Sequence, residues 1–553
     1  MKKAFFSSFI ILILFFGIVI PCPAGDYPSA RRADVVDDYY GTKVADPYRW
    51  LEDPDSEETM AWVNAENKLT AAFVDTPERE KIKKRYTELY NFPKYSLPHK
   101  EGNRYIYKKN DGLQPQEIMY MQETLDGEPK VVIDPNSLSD DGTIALGNYS
   151  FTKDGTLMAY GLPKSGSDME DIYIRNIETG KDYDDVLTWT RGVVAAWMPD
   201  NSGFYYDRYP DPATVAPGDE TYYDKVYWHT LGTPQSDDKL IYERLDDKTL
   251  GFGTSVTDDG KYLIIYVWRG TNRENGIYYL ELNGKNEVVR LLDDFDAGYS
   301  PIENLGTKFF FKTDLNAQNG RIIAIDLANP SKENWQEIIP ESEDVLSAAY
   351  MINNQFVLIY MHDAHDLLKI YNLDGTFDRE IEMPTVGSIS YITGRPHDTE
   401  MFYEFISFLH PATHYRYDFQ TGETSLIRRA EVDFDPSGYE TNQVFFNSKD
   451  GTRIPLFITH KKDLVLDGSN PTLLYGYGGF QVNQTPYFSL SKAMWIENGG
   501  VFVLAVTRGG IEYGEKWHQA AMREGRQRVY DDFIGAAEWL IENKYTCKEK
   551  IAI

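Results

Sequence analysis

The sequence predicts a multidomain β and α/β chain: a seven-bladed β-propeller, then an α/β sheet, with a helical arm in front. Three observations carry this expectation. From Pro98 to Ile427, short apolar runs come in pairs that recur about every forty to fifty residues, seven times in all. After Arg428, apolar runs alternate with stretches of helical periodicity, as an α/β sheet requires. At 553 residues the chain is also too long for one hydrophobic core.

The first 24 residues have the layout of a signal peptide. Lys2 and Lys3 form a basic start, Phe5 to Ile20 is an apolar run, and Cys22-Pro23-Ala24 supplies small residues before a cut near Gly25. An uncleaved membrane anchor is the alternative. A lipoprotein signal is disfavoured because Pro21 directly precedes Cys22. The expected destination is outside the cytoplasm, periplasmic or secreted. Cleavage there leaves Cys547 as the one cysteine, so no internal disulfide can form. No later stretch is long and apolar enough to span a bilayer, so no stable membrane association is expected after signal removal.

Acidic residues outnumber basic ones, 86 to 56, giving a formal charge of −30 spread along the chain. Such a surface repels phosphate backbones, which argues against nucleic acid as a partner and serves solubility.

Residues 25–97 read as an arm. Asp46-Pro47-Tyr48-Arg49-Trp50-Leu51-Glu52-Asp53 opens it, and Ser56 with Glu57 and Glu58 starts a helix carrying Trp62, Val63, Leu69 and Phe73. A charged second helix covers Pro77 to Leu89. The propeller is expected over 98–428. Its paired runs begin with Arg104–Tyr107 and Ile118–Met121 and end with Glu400–Phe405 and Thr413–Tyr417. A stack of antiparallel sheets would give similar runs, but a closed ring protects the edges that such a stack exposes. From 429 onward, Gln443–Phe446 and Arg453–Ile458 flank the turn Lys449-Asp450-Gly451 as a hairpin. Two apolar strands follow, Pro471–Leu474 and Val501–Val506, each ending in glycines. Helices are expected over Ser489–Asn498 and Tyr530–Asn543, the latter with Phe533, Ala536, Ala537, Leu540 and Ile541 on one side.

The two glycine turns are Gly476-Tyr477-Gly478-Gly479-Phe480 and Arg508-Gly509-Gly510-Ile511-Glu512-Tyr513-Gly514. The first is not a dinucleotide fingerprint, because Gln481 stands where the third glycine belongs. The pairs His362/His365 and His410/His414 have metal-like spacing but lack a metalloprotease glutamate, and structural roles are favoured. No Gly-x-Ser-x-Gly occurs in the chain. Gly253-Thr254-Ser255-Val256-Thr257 comes nearest and reads as a turn. No metal or cofactor is expected.

Asp46 to Asp53, Gly112-Leu113-Gln114-Pro115-Gln116, Leu474 to Phe480, Arg508 to Gly514 with Trp517-His518, and Asp531-Asp532-Phe533 together resemble the prolyl oligopeptidase family over nearly the whole chain after the signal. The resemblance implies a seven-bladed propeller capping an α/β-hydrolase domain, with the arm returning to the hydrolase. It implies a serine endopeptidase that cuts short peptides after proline with a Ser–Asp–His triad. The propeller excludes folded proteins from the site. Short peptides are the expected partners, and a monomer the expected state. Carried over residue by residue, Tyr477 matches the tyrosine whose hydroxyl supports the oxyanion, and Phe480 an aromatic beside the substrate pocket. Packing alone is the competing role for both. Arg508 and Glu512 are expected to pair and brace the second turn, where Ile511 replaces a glycine usual in the family.

In the family the strand resembling Ile551–Ile553 leads to the nucleophile, with acid and histidine further on. The expectation is therefore a hydrolase domain truncated before its triad and a chain inactive alone. Two other readings stand beside it: a non-catalytic propeller that binds peptides, and a related oligopeptidase of different specificity.

Overall fold

The computed structural model describes residues 27–163, 166–192, 195–285 and 287–553. The signal-like segment lies outside them. Among the described residues, those from Tyr27 to Arg85 form one compact unit and those from Tyr86 to Ile553 a second. The first holds a small hairpin, Val36–Tyr39 with Thr42–Ala45, and the helix Glu57–Val74. That helix starts where its sequence says it should: the Ser56 hydroxyl accepts the Thr59 amide, and Glu57 and Glu58 sit in the positive first turn. In the motif Asp46–Asp53, the Arg49 guanidinium donates to Asp46 at 2.5 Å and also meets Asp37.

The larger unit contains seven consecutive antiparallel sheets in ring order. Each of the seven strand pairs expected from the sequence is a hydrogen-bonded pair at the centre of its own sheet, for instance Tyr262–Arg269 against Gly276–Glu281 and Lys308–Thr313 against Arg321–Asp326. Two further strands complete each of six blades, giving four; the first has five, because both Lys94–Tyr95 and His99–Glu101 pair with Arg104–Asn110. Alternation explains the arrangement. Central strands are apolar on both faces, since each blade packs between two others, and outer strands such as Thr424–Arg429 are polar.

One expectation fails locally. Gly253 to Val256 is not a turn but part of the strand Leu250–Val256, paired with Tyr262–Arg269. A Cβ on Gly251 would lie 2.4 Å from the Trp268 indole, so glycine there admits the neighbouring ring rather than a bend.

The C-terminal α/β portion is a five-stranded mixed sheet in the order Tyr439–Asn447, Arg453–Lys461, Val501–Ala505, Thr472–Tyr475, Ile551–Ala552. The first two form the expected hairpin, with Val444 opposite Leu456, and the last three run parallel to one another. One face buries Ile454, Leu456, Ile458, Leu474 and Val503 against Ala536 and Leu540 of the helix Gln527–Glu542. The other buries Phe457, Phe502 and Leu504 against Ile496 of the helix Leu490–Glu497, and against Ala364 and Phe408 of the propeller. Ala364 sits in the two-residue turn joining His362 to His365, and both turn residues, Asp363 and Ala364, have positive φ. That left-handed turn suits the twist of a tight hairpin but strains residues other than glycine. Docking holds it: the Asp363 carboxylate accepts from Arg453 at 3.0 Å and from the Tyr513 hydroxyl at 2.8 Å. The His362/His365 spacing thus comes from cross-strand pairing. His362 is hydrogen-bonded to Asp344 at 2.6 Å, and buried His414 to Glu404 at 2.9 Å.

Candidate active site

Both glycine turns stand at the ends of parallel strands, on the same edge of the C-terminal sheet. Gly478, at φ +69°, runs against the second turn: a Cβ there would lie 2.5 Å from both Thr507 and Val529. Gly509, at φ +116°, lies against Gly478 itself, and a Cβ would meet its carbonyl at 2.4 Å. Only two glycines permit this backbone-to-backbone approach. The pair is then tied down. Gln481 donates its amide to the Gly509 carbonyl at 3.2 Å, His518 Nδ1 donates to the same carbonyl at 2.7 Å, and the Arg526 guanidinium donates to the Gly478 carbonyl.

Beneath the second turn, a buried Arg508–Asp532 ion pair extends to an exposed Asp450. Arg508 donates to Asp532 from Nε at 2.9 Å and Nη2 at 2.6 Å, and to Asp450 from Nη1 at 2.6 Å. Ser448 donates to Asp532 at 2.6 Å. The Asp532 side chain is fully buried. Arg508 holds the Asp450 carboxyl far below the usual carboxylate range. The expected pairing of Arg508 with Glu512 does not occur. Glu512 instead accepts the Gln484 amide at 2.7 Å, and burial pushes its carboxyl up to about 7. A side chain on Gly510 would strike that carboxyl, so the glycine makes its niche. Sequence reasoning missed the cluster because Asp450, Arg508 and Asp532 are far apart in the chain. One signal was available: Asp532 stands four and eight residues before Ala536 and Leu540, on the buried face of an amphipathic helix, where a carboxylate needs a partner.

The braced turns present Tyr477 and Phe480 to a cavity of about 1020 Å³. Its opposite wall is propeller: Thr271, Asn272, Arg273 and Glu274. Arg273 reaches Glu515 at 3.4 Å and also pairs with Asp314 of its own domain, so one guanidinium spans the cavity's two walls. These propeller residues had no signal in the sequence. Tyr477 is 45% exposed, and among the described residues its hydroxyl has no hydrogen-bond partner. Phe480 is 77% exposed, with positive φ. A phenol without an internal partner, fixed at the end of a buried strand, can donate to charge developing on a substrate oxygen. Among the described residues, the lining contains no serine or cysteine, and its one histidine, His518, is bonded to backbone. Among the described residues, the lining offers a hydrogen-bond donor to a developing charge but no serine or cysteine to attack.

Comparison with known proteins supplies the rest. Residues 27–430 match the family model "Prolyl oligopeptidase, N-terminal beta-propeller domain", and residues 486–553 match "Prolyl oligopeptidase family". A prolyl endopeptidase of Elizabethkingia meningoseptica is 38% identical over 533 residues, covering 95% of this chain and 74% of that relative. A solved structure from a study of two prolyl endopeptidases and their inter-domain dynamics superimposes with a TM-score of 0.89 at 35% identity, over 95% of this chain and 78% of the other. Prolyl oligopeptidase B of Galerina marginata, bound to a 25mer macrocyclization substrate, gives 0.88 at 31% identity, over 96% and 78%.

Proposed function

The chain belongs to the prolyl oligopeptidase family of serine peptidases, and on that premise we propose that the Tyr477 cavity is the oxyanion side of an endopeptidase site for short peptides cut after proline. The observation that carries this reading is the unpartnered Tyr477 hydroxyl at the cavity wall. When a serine oxygen adds to a peptide carbonyl, negative charge moves onto the carbonyl oxygen. A phenol that needs no reorganisation meets that charge more strongly than it meets the neutral ground state. The bracing of Gly478 and Gly509 by Arg526 and His518 holds the donor in place. Phe480 offers a ring face for the compact apolar pyrrolidine of proline, with the Arg273 wall across the cavity from it.

The propeller of this reading occupies 98–428 and the hydrolase portion begins at 429. The signal-like start supports an exported protein, periplasmic or secreted, and the acidic surface one without nucleic-acid partners; this reading takes the chain to act as a monomer. None of the 553 residues forms a Gly-x-Ser-x-Gly nucleophile turn, so these residues alone are expected to leave a Gly-Pro reporter peptide uncut. Incubating the purified chain with that reporter tests this. Saturable cleavage that survives a metal chelator and copurifies with the chain would show that it carries a nucleophile of another kind.

A further inference from the structure

Where the chain enters the first blade and leaves the seventh, the two crossings border a cavity of about 280 Å³. Phe92, Lys94 and Tyr95 line it from the entry, Arg428 from the exit, and Phe488 and Leu490 from the C-terminal α/β portion. Most of the wall is apolar or aromatic. In a chain with 30 more acidic than basic residues, no carboxylate among the described residues stands on this wall, whereas two cations do.

Arg428 is the informative one. Its guanidinium lies over the Tyr95 ring, 3.6 Å from the centroid, and 5.5 Å from that of Tyr107. Among the described residues it pairs with no carboxylate and makes no side-chain hydrogen bond. Stacking positions the guanidinium while leaving its N–H donors unused, the state suited to bidentate capture of a carboxylate. Arg428 stands directly opposite His414 on the neighbouring strand, and His414 opposite Glu404, to which it is hydrogen-bonded. The acid on the strand beyond His414 is therefore already engaged. Lys94 gives its ammonium to the Tyr90 and Gly112 carbonyls at 2.8 Å and adds positive potential without competing for the guanidinium.

We propose that this cavity binds a small apolar monocarboxylate, its carboxylate on Arg428 and its aromatic or branched body among Phe92, Phe488 and Leu490. The site is separate from the Tyr477 cavity and does not rest on the peptidase reading. Because entry strand, exit strand and α/β helix all contribute, the ligand fastens the crossings between propeller and α/β portion.

The test uses the 553-residue chain with 3-phenylpropionate and its neutral isostere 3-phenylpropionamide, by titration calorimetry. Saturable one-to-one binding of the acid is expected, with the amide weaker by about tenfold or more. Arg428→Gln should lose the same factor, and Arg428→Lys should recover part of it. Hydrogen exchange on the unaltered chain gives a second reading that needs no variant: added acid should slow exchange at residues 92–95 and 428–430. Equal affinity for acid and amide, no saturation, or protection confined to other segments would overturn the proposal.

Discussion

Between blades 4 and 5, Tyr262, Ile264, Ile277 and Leu292 interlock with Phe309, Phe311 and Ile323 in a buried apolar cluster, with Asn304 donating to Asp259 beside it at 3.1 Å. Between blades 7 and 1, Arg395 meets Glu101, the Tyr105 hydroxyl donates to Glu400 at 2.7 Å, and the Thr393 hydroxyl donates to the Pro98 carbonyl at 2.7 Å. A cavity of about 210 Å³, lined by His99, Glu101, Arg395, Asp398 and Glu400, lies in that second seam. The other five seams resemble the first: each has its own buried apolar cluster shared by two adjacent blades. Each blade draws its strands from one continuous stretch, so no strand is exchanged where the ring closes. Apolar seams form between blades adjacent in sequence. The closing seam joins segments nearly 300 residues apart and relies on directional polar contacts. Apolar packing supplies the stabilisation; the polar contacts set how the last blade meets the first.

Deleting a large side chain from an apolar seam should have the largest effect. Phe311→Ala, at a fully buried ring, should cost about 3–5 kcal/mol in urea unfolding monitored by tryptophan fluorescence. If it costs under about 1 kcal/mol, the apolar seams are not what holds the ring. Arg508→Ala should cost a comparable amount, about 3–5 kcal/mol, because it strands the fully buried Asp532 carboxylate. That result would show that a paired ionic contact, once buried, matters to this chain as much as a seam's apolar packing. A loss below about 1 kcal/mol would mean that the Asp532 carboxylate is not held by Arg508.

The closing seam itself should respond least, and through pH. Burial pushes the Glu101 carboxyl up to about 7 against the lowering pull of Arg395, while burial and Arg395 push the His99 imidazole down to about 4. A raised carboxyl favours its protonated form in the fold. Its contribution is therefore full below its ordinary value of 4.5 and is lost as pH rises through about 7. Glu101→Gln should flatten the stability–pH profile in that window by up to about 1.4 kcal/mol per pH unit. Glu512 is raised to about 7, Asp224 to about 7 and Asp366 to about 6, and they tilt parent and variant alike, so the difference reports Glu101. Parallel profiles would mean that Glu101 titrates normally and that the seam is wetter than its geometry implies.

Much of this architecture was legible in the sequence, for reasons specific to local order. Strand alternation and Asp-Gly turns are written within a few residues, so all seven central pairs could be read, as could the hairpin around Asp450 and the helix that carries Ala536 and Leu540. The glycine motifs also pointed to the edge of the sheet where Tyr477 stands. What escaped was non-local. Nothing near Arg508 says that its partner is Asp532 rather than Glu512, and nothing near Arg273 says that it faces Tyr477. Glycine was ambiguous too: at 253 it makes room for an indole across the sheet, as its neighbour at 251 does, where a turn was expected. Periodicity reports which face a residue is on, but not which distant segment covers that face.

The central claim is that Tyr477 donates to the oxyanion, and one substitution tests it. A chimera that joins this chain to the part of the Elizabethkingia meningoseptica prolyl endopeptidase it does not cover, about a quarter of that relative, should cleave a Gly-Pro reporter. Tyr477→Phe in that protein removes one oxygen and leaves the ring. It should lower kcat by about 10²–10³-fold while KM moves little, because the lost interaction belongs to the transition state. A Tyr477→Phe protein that keeps the parent's kcat, or whose loss falls entirely on KM, would contradict the assignment.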